Sequence, residues 1–196
     1  LPFPSSSPDV GAVVPTATGD RHFCTGADLV DPDLRPSQER AAGDAARMLR
    51  EGGQRVVAAI LDCEKPVVCA LNGVAAGAGA SLMLACDLVV AAEHARIIEV
   101  FVRRGLAPDG GAAYLLARRL PLNVAKELVF FGDELSASDA HRLGLVNRVV
   151  PRAELETVAL EWARRLADGP TRAIAAAKAM LNHSLDAGRP EAFTTE

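Results

Sequence analysis

Two glycine-rich stretches and one aspartate carry most of the chemical promise of this 196-residue sequence. The first stretch is Phe23-Cys24-Thr25-Gly26-Ala27-Asp28-Leu29, and the second is Asn72-Gly73-Val74-Ala75-Ala76-Gly77-Ala78-Gly79-Ala80-Ser81-Leu82. Glycines let a backbone take unusual dihedrals and let a ligand approach closely. A helix opening near residue 78 would point unpaired N–H groups and its positive dipole end outward, which favours an anion or a developing oxyanion. The same pattern also serves plain close packing at strand-to-helix turns of α/β proteins. Asp109 stands in Pro108-Asp109-Gly110-Gly111. It reads either as a general base that moves a proton between two carbons, or as a turn residue bonding its own backbone.

Other residue types narrow the chemistry by what they lack. The glycines at 73, 77 and 79 do not follow G-x-G-x-x-G, and no lysine follows as a phosphate-binding loop requires, so both nucleotide readings fail. Cys24, Cys63, Cys69 and Cys86 match no CxxC pattern and are expected as free thiols in a reducing cytoplasm. His22, His94, His141 and His183 are scattered, so no metal site is expected. A net charge of −4 gives no reason to expect nucleic acid or an anionic membrane. Gly, Arg or Asp interrupts every apolar run before it could span a bilayer.

The elements that must position these residues follow from composition and periodicity. With 49% apolar, 23% charged and 4% aromatic residues, the chain reads as an alanine-rich globular protein. Strand and helix patterns alternate without repeats, which predicts α/β. Strands are expected at 10–14, 66–71 and 88–92, short and apolar on both faces as in a sheet covered on both sides. Helices are expected at 36–51, 78–86, 110–119 and 122–131. Further helices are expected after the Ser136/Asp139 capping box, from Pro151 and from Pro170. The expected division is a core over 1–150 and a helical region over 151–196. The start at Leu1 and a Pro/Ser-rich lead-in raise the expectation that part of the native protein lies outside this sequence.

Four ordered motifs then carry a resemblance. They are FCTGADL at 23–29, KPVVCALNGVAAGAGASLMLACDLVVAAEHARI at 65–97, RGLAPDGGAAYLLARRL at 104–120 and ELSASDAHRLGLVNRVVP at 134–151. Together they resemble the enoyl-CoA hydratase/isomerase (crotonase) family from about residue 10 to residue 185. The resemblance implies a spiral of ββα units with a C-terminal helical region, here without the family's first strands and the end of its helical tail. It implies a homotrimer or a dimer of trimers in the cytoplasm. It also implies an acyl-CoA substrate, with coenzyme A entering as part of that substrate and no separate cofactor. By the same resemblance Ala27 and Ala78 supply the two N–H donors of an oxyanion hole. Cys24, Gly26, Asp28, Leu29 and Gly77 would line the substrate path.

The acid/base positions decide the reaction. Hydratases of the family carry two glutamates, and the matching positions here hold Ser81 and Phe101, read as giving space to and shaping the acyl pocket. Glu99 is two residues from the second position and is expected to point elsewhere. GAGASL and FVRRGLAPDGG are similar to the isomerases of bacterial phenylacetyl-CoA breakdown and to some Δ3,Δ2-enoyl-CoA isomerases, which implies that Asp109 is catalytic. The resulting expectation is an isomerase of an unsaturated or epoxidised acyl-CoA with one aspartate as acid/base. An enoyl-CoA hydratase of fatty-acid β-oxidation and a non-catalytic acyl-CoA-binding protein are the alternatives.

Overall fold

A computed structural model describes residues 7–26 and 50–195. In chain order the described elements are β1 (His22–Cys24), α1 (Gly53–Leu61), β2 (Val68–Leu71), β3 (Val74–Ala76), α2 (Ala78–Ala85), β4 (Leu88–Ala92) and β5 (Arg96–Ile98). A 3-10 turn over Val100–Arg104 leads to α3 (Ala112–Arg119), α4 (Leu122–Phe131), β6 (Glu134–Ser136), α5 (Ala137–Arg142) and β7 (Arg148–Val150). A second 3-10 turn over Arg152–Glu154 precedes α6 (Leu155–Ala167), α7 (Thr171–Ser184) and α8 (Arg189–Thr195).

The strands form two sheets, β1-β3-β5-β6 and β2-β4-β7, parallel except for the β5–β6 pair. The chain steps from one sheet to the other between β2 and β3, and again between β4 and β5. This is the ββα spiral that the resemblance implies. Buried Asn72 pins one such step. Its amide nitrogen donates to the carbonyls of Gly19 and His22, and its oxygen accepts from Ala17 N–H. A buried amide satisfied in this way fixes the corner without a desolvation penalty.

Alternation along β2 and β4 explains why they read as continuous apolar runs. Cys69, Leu71, Val89 and Ala91 face one core, with Ala80, Met83 and Leu84 of α2. Val68, Ala70, Val90 and Ala92 face the other, with Leu155 and Ala159 of α6. A sheet covered on both faces has no polar side.

The strand expected at 10–14 is reduced to a bridge between Val13 and Val67. Val13 exchanges bonds with Pro66 and Val68, and Pro15 accepts from Ala70 N–H but has no N–H to donate back. The helix expected from Pro151 opens as a 3-10 turn and becomes α-helical only at Leu155. The helix expected at 36–51 falls on residues that lie, up to residue 49, outside the described ones.

Candidate active site

The second glycine-rich stretch turns β3 into α2. Gly77 takes φ 54° and ψ −122°, a conformation that strongly favours glycine, and its N–H donates to Ile98 of β5 at 3.0 Å. Among the described residues no side chain caps the helix that follows. The first amides of α2, beginning with half-buried Ala78, therefore have neither a capping side chain nor a partner within the helix. Gly79 is required for a different reason: a methyl group there would overlap the carbonyl oxygen of Cys24. The missing side chain lets α2 dock directly on β1.

That docking brings the first glycine-rich stretch to the second. Gly26, at φ +93°, sits so close to the helix start that a Cβ on it would lie 3.6 Å from the Ala78 nitrogen and 3.5 Å from the Ala76 oxygen. Cys24 is half-buried at the end of β1. Ala27, Asp28 and Leu29 lie outside the described residues.

The third part is the turn Pro108–Gly111. Gly110 and Gly111 both have positive φ, at 57° and 88°, and Ala112 N–H donates to the Asp109 carbonyl at 3.0 Å. Ser81 is fully buried, and its hydroxyl donates to that same carbonyl at 3.4 Å. Ser81 thus ties the aspartate turn to the second turn of α2. Val57 of α1 covers the turn, 3.2 Å from where a Cβ on Gly111 would stand. The Asp109 side chain is half-buried, and loss of water raises its carboxyl above the ordinary aspartate range.

Phe101 is buried, with its ring edge 3.8 Å from the Cβ position of Gly77. Two residues earlier stands a group that motif matching passed over. Glu99 is 2% exposed, and among the described residues neither carboxylate oxygen has a hydrogen-bond partner. Burial pushes its carboxyl up to about 7. No strand pattern signals it: Glu99 stands between the end of β5 and the 3-10 turn, flanked at two residues on either side by the buried Ile97 and Phe101.

Other polar clusters are structural. A cavity of about 460 Å³ touches neither glycine-rich stretch and is lined by Cys63, Tyr114, Arg118, Lys178, Asn182 and Asp186, among others. Its cations are engaged: Arg118 pairs with Asp186 at 2.5 Å, and Lys178 with Asp87 at 2.8 Å and with the carbonyls of Ile60 and Lys65. The Cys69 thiol is raised by burial and by its contact with Cys86. Among the described residues no group of three His, Cys, Asp or Glu side chains could hold a metal ion. None of the described helices is long and apolar enough to cross a membrane.

The profile of the enoyl-CoA hydratase/isomerase family matches residues 4–196. Over 162 residues the chain is 38% identical to the 1,2-epoxyphenylacetyl-CoA isomerase of Escherichia coli strain K12, covering 83% of this chain and 61% of that protein. It is 37% identical over 171 residues to the carnitinyl-CoA dehydratase of Salmonella agona strain SL483, covering 87% of this chain and 63% of that protein. The chain thus spans less than two thirds of the length of these two relatives. Among solved structures, an enoyl-CoA hydratase from Polaromonas sp. JS666 superposes with a TM-score of 0.89 at 35% identity, covering 98% of this chain and 73% of the other. A profile match over almost the whole length, joined to a shared fold at this level of identity, gives one conclusion: the chain belongs to the enoyl-CoA hydratase/isomerase family.

Proposed function

We propose that the protein isomerises an unsaturated or epoxidised acyl-CoA, holding the thioester enolate between the amides of Ala27 and Ala78 and moving the proton with Asp109. A thioester enolate carries its charge on one oxygen, and two preorganised N–H donors stabilise it where it forms. Moving a double bond takes a proton from one carbon and delivers one to another, so one carboxyl suffices in principle. Coenzyme A enters with the substrate, and no separate cofactor has a role. Cys24, Gly26, Asp28, Leu29 and Gly77 line the proposed thioester path, and Phe101 walls the acyl side. Ser81 is assigned to this site through its bond to the Asp109 turn.

The observation that carries this reading is that bond. It ties the backbone of the turn that carries Asp109 to the helix whose first amide is Ala78, which supports a place for that side chain near the helix start. The isomerase among the relatives supports it. The test is turnover of a 3-enoyl-CoA and of crotonyl-CoA by the purified protein and by Asp109→Asn. Isomerisation is expected to fall about 100- to 10,000-fold in the variant, the usual worth of a positioned general base. Robust hydration of crotonyl-CoA that Asp109→Asn leaves intact would instead favour the hydratase reading.

A second reading, hydration or dehydration, draws on the dehydratase among the relatives and on the buried carboxyl of Glu99. A non-catalytic binder is separated from both by α-proton exchange in deuterated water, which only an enolising protein performs. We also propose a homotrimer or a dimer of trimers, supported by apolar side chains standing in solvent on α4.

A further inference from the structure

We propose that Glu99 is a second proton-transfer group of this site, donating to the acyl chain the proton that completes the reaction Asp109 begins. The inference rests on the isomerase reading above and divides its proton transfer between two carboxyls.

Three observations place Glu99 at the site. It directly follows Ile98, whose carbonyl accepts from Gly77 N–H at 3.0 Å, so it is one peptide from the turn that opens α2. Ile97, two residues before it, belongs to the core that contains Ala75, Ala80 and Met83, and Glu99, at the junction of β5 and the 3-10 turn, is as fully buried as Ile97. The ring of Phe101, two residues after it, reaches Gly77. Glu99 is therefore a buried residue joining β5 to the 3-10 turn that packs on Gly77.

Its surroundings do not explain it structurally. A structural buried carboxylate accepts backbone N–H groups or pairs with a cation, and among the described residues Glu99 does neither. The charged groups on the elements around it are otherwise placed. Arg96 donates to the carbonyls of His94 and Ala95, Arg103 pairs with Asp133 at 3.0 Å, Arg104 and Glu134 are exposed, and Asp109 lies on the turn held by Ser81. Burial raises this carboxyl to about 7, so near neutral pH it is present both as the neutral acid, a proton donor, and as the carboxylate.

The step balances. The Asp109 carboxylate takes a C2 proton from a 3-enoyl thioester, and the C–H electron pair moves into the thioester to give a dienolate. Neutral Glu99 donates its proton to C4, and the dienolate electrons form the C4–H bond and the C2=C3 double bond. Asp109 is left protonated and Glu99 ionised. A proton passed from the first to the second through solvent restores both, with nothing oxidised or reduced.

The test uses a 3-enoyl-CoA deuterated at C2, turned over in ordinary water, with the wild type, Glu99→Gln and Asp109→Asn. The wild type is expected to place solvent hydrogen at C4. Glu99→Gln is expected to exchange C2 hydrogen within about threefold of the wild-type rate while shifting the double bond about 100-fold more slowly. Glu99→Asp, which keeps a carboxyl, is expected to recover part of the shift. A residue with only a structural role would slow exchange and shift together. Carriage of the C2 deuterium to C4 by the wild type, or an unimpaired shift in Glu99→Gln, would overturn the inference and leave Asp109 acting alone. Exchange and shift that both survive in Asp109→Asn would instead overturn the assignment of the first proton transfer to Asp109, on which the inference rests. Should Glu99→Gln fail to fold, the wild-type label pattern and Glu99→Asp still decide.

Discussion

At the scale of single residues the outstanding feature is the cost of Glu99. Its carboxyl titrates near 7 when folded and near 4.5 when the chain is exposed to water. The folded state therefore binds this proton more tightly, so the contribution is fully present below pH 4.5 and is lost as pH rises through 7. Glu99→Gln removes the titration, and its stability relative to the wild type is expected to rise by roughly 3 kcal/mol between pH 4.5 and pH 8. Urea denaturation of both proteins across that range measures it. A difference that stays flat with pH would show that Glu99 does not titrate from a buried position. Asp109 is raised in the same direction, but it is present in both proteins and cancels.

The residue scale also shows where sequence reading reached its limit. Gly77 and Gly79 were legible because a positive φ and a docking helix both exclude a side chain. Ser81 was read as a pocket residue, and its bond to the Asp109 carbonyl joins positions 28 apart, a pairing that no local pattern announces. Glu99 was expected to point elsewhere because it is offset from a motif position. It lies where β5 gives way to the 3-10 turn, and burial there comes from the packing of both elements, which no local periodicity announces.

At the scale of elements, the site depends on α2 lying flat on β1. Gly79→Ala tests that dependence because two effects oppose each other. Alanine favours a helix over glycine by about 1 kcal/mol. Against this, its Cβ would meet the Cys24 carbonyl and stand 2.8 Å from the Cys24 Cβ, so α2 or β1 must move. Overpacking against a backbone costs about 3 kcal/mol, so the clash wins and the net loss is about 2 kcal/mol or more. A urea midpoint unchanged or raised would mean that the two elements do not pack this tightly. The same variant should lose turnover even where it folds, since the Ala78 amide moves with the helix.

Element by element, length decided what could be read. The runs at 88–92 and 122–131 match β4 and α4 to the residue, because five apolar residues in a row or three helical turns leave a clear pattern. β3, β5, β6 and β7 have three residues each, too few for alternation to stand out from the flanking turns. The strand expected at 10–14 was read from apolar composition alone, and Pro15 limits its pairing to a bridge.

At the scale of the whole molecule, the core accounts for one face of α4 but not the other. Ala125 is buried and Val124, Leu128 and Val129 pack against the core, whereas Phe130 and Phe131 are 63% and 65% exposed. Val102 of the packed 3-10 turn, whose side chain stands 3.2 Å from the Cβ position of Gly132, is exposed too. Fully burying a phenylalanine is worth about 1.5 to 3 kcal/mol, so two of them offer a few kcal/mol to any assembly that covers them. Exposed phenylalanines at the end of a helix are a candidate contact surface by this arithmetic, and the proposed homotrimer or dimer of trimers would use it. Phe131→Glu places a charge at the patch and leaves the core side of α4 untouched. Sedimentation velocity of this variant is expected to show smaller species than the wild type, with the helical content unchanged by circular dichroism. An unchanged sedimentation coefficient would remove α4 from the interface. Loss of helical content along with assembly would mean that Phe131 contributes to the fold itself, and then Phe130→Glu, one residue back on the same exposed end of the helix, separates the two effects.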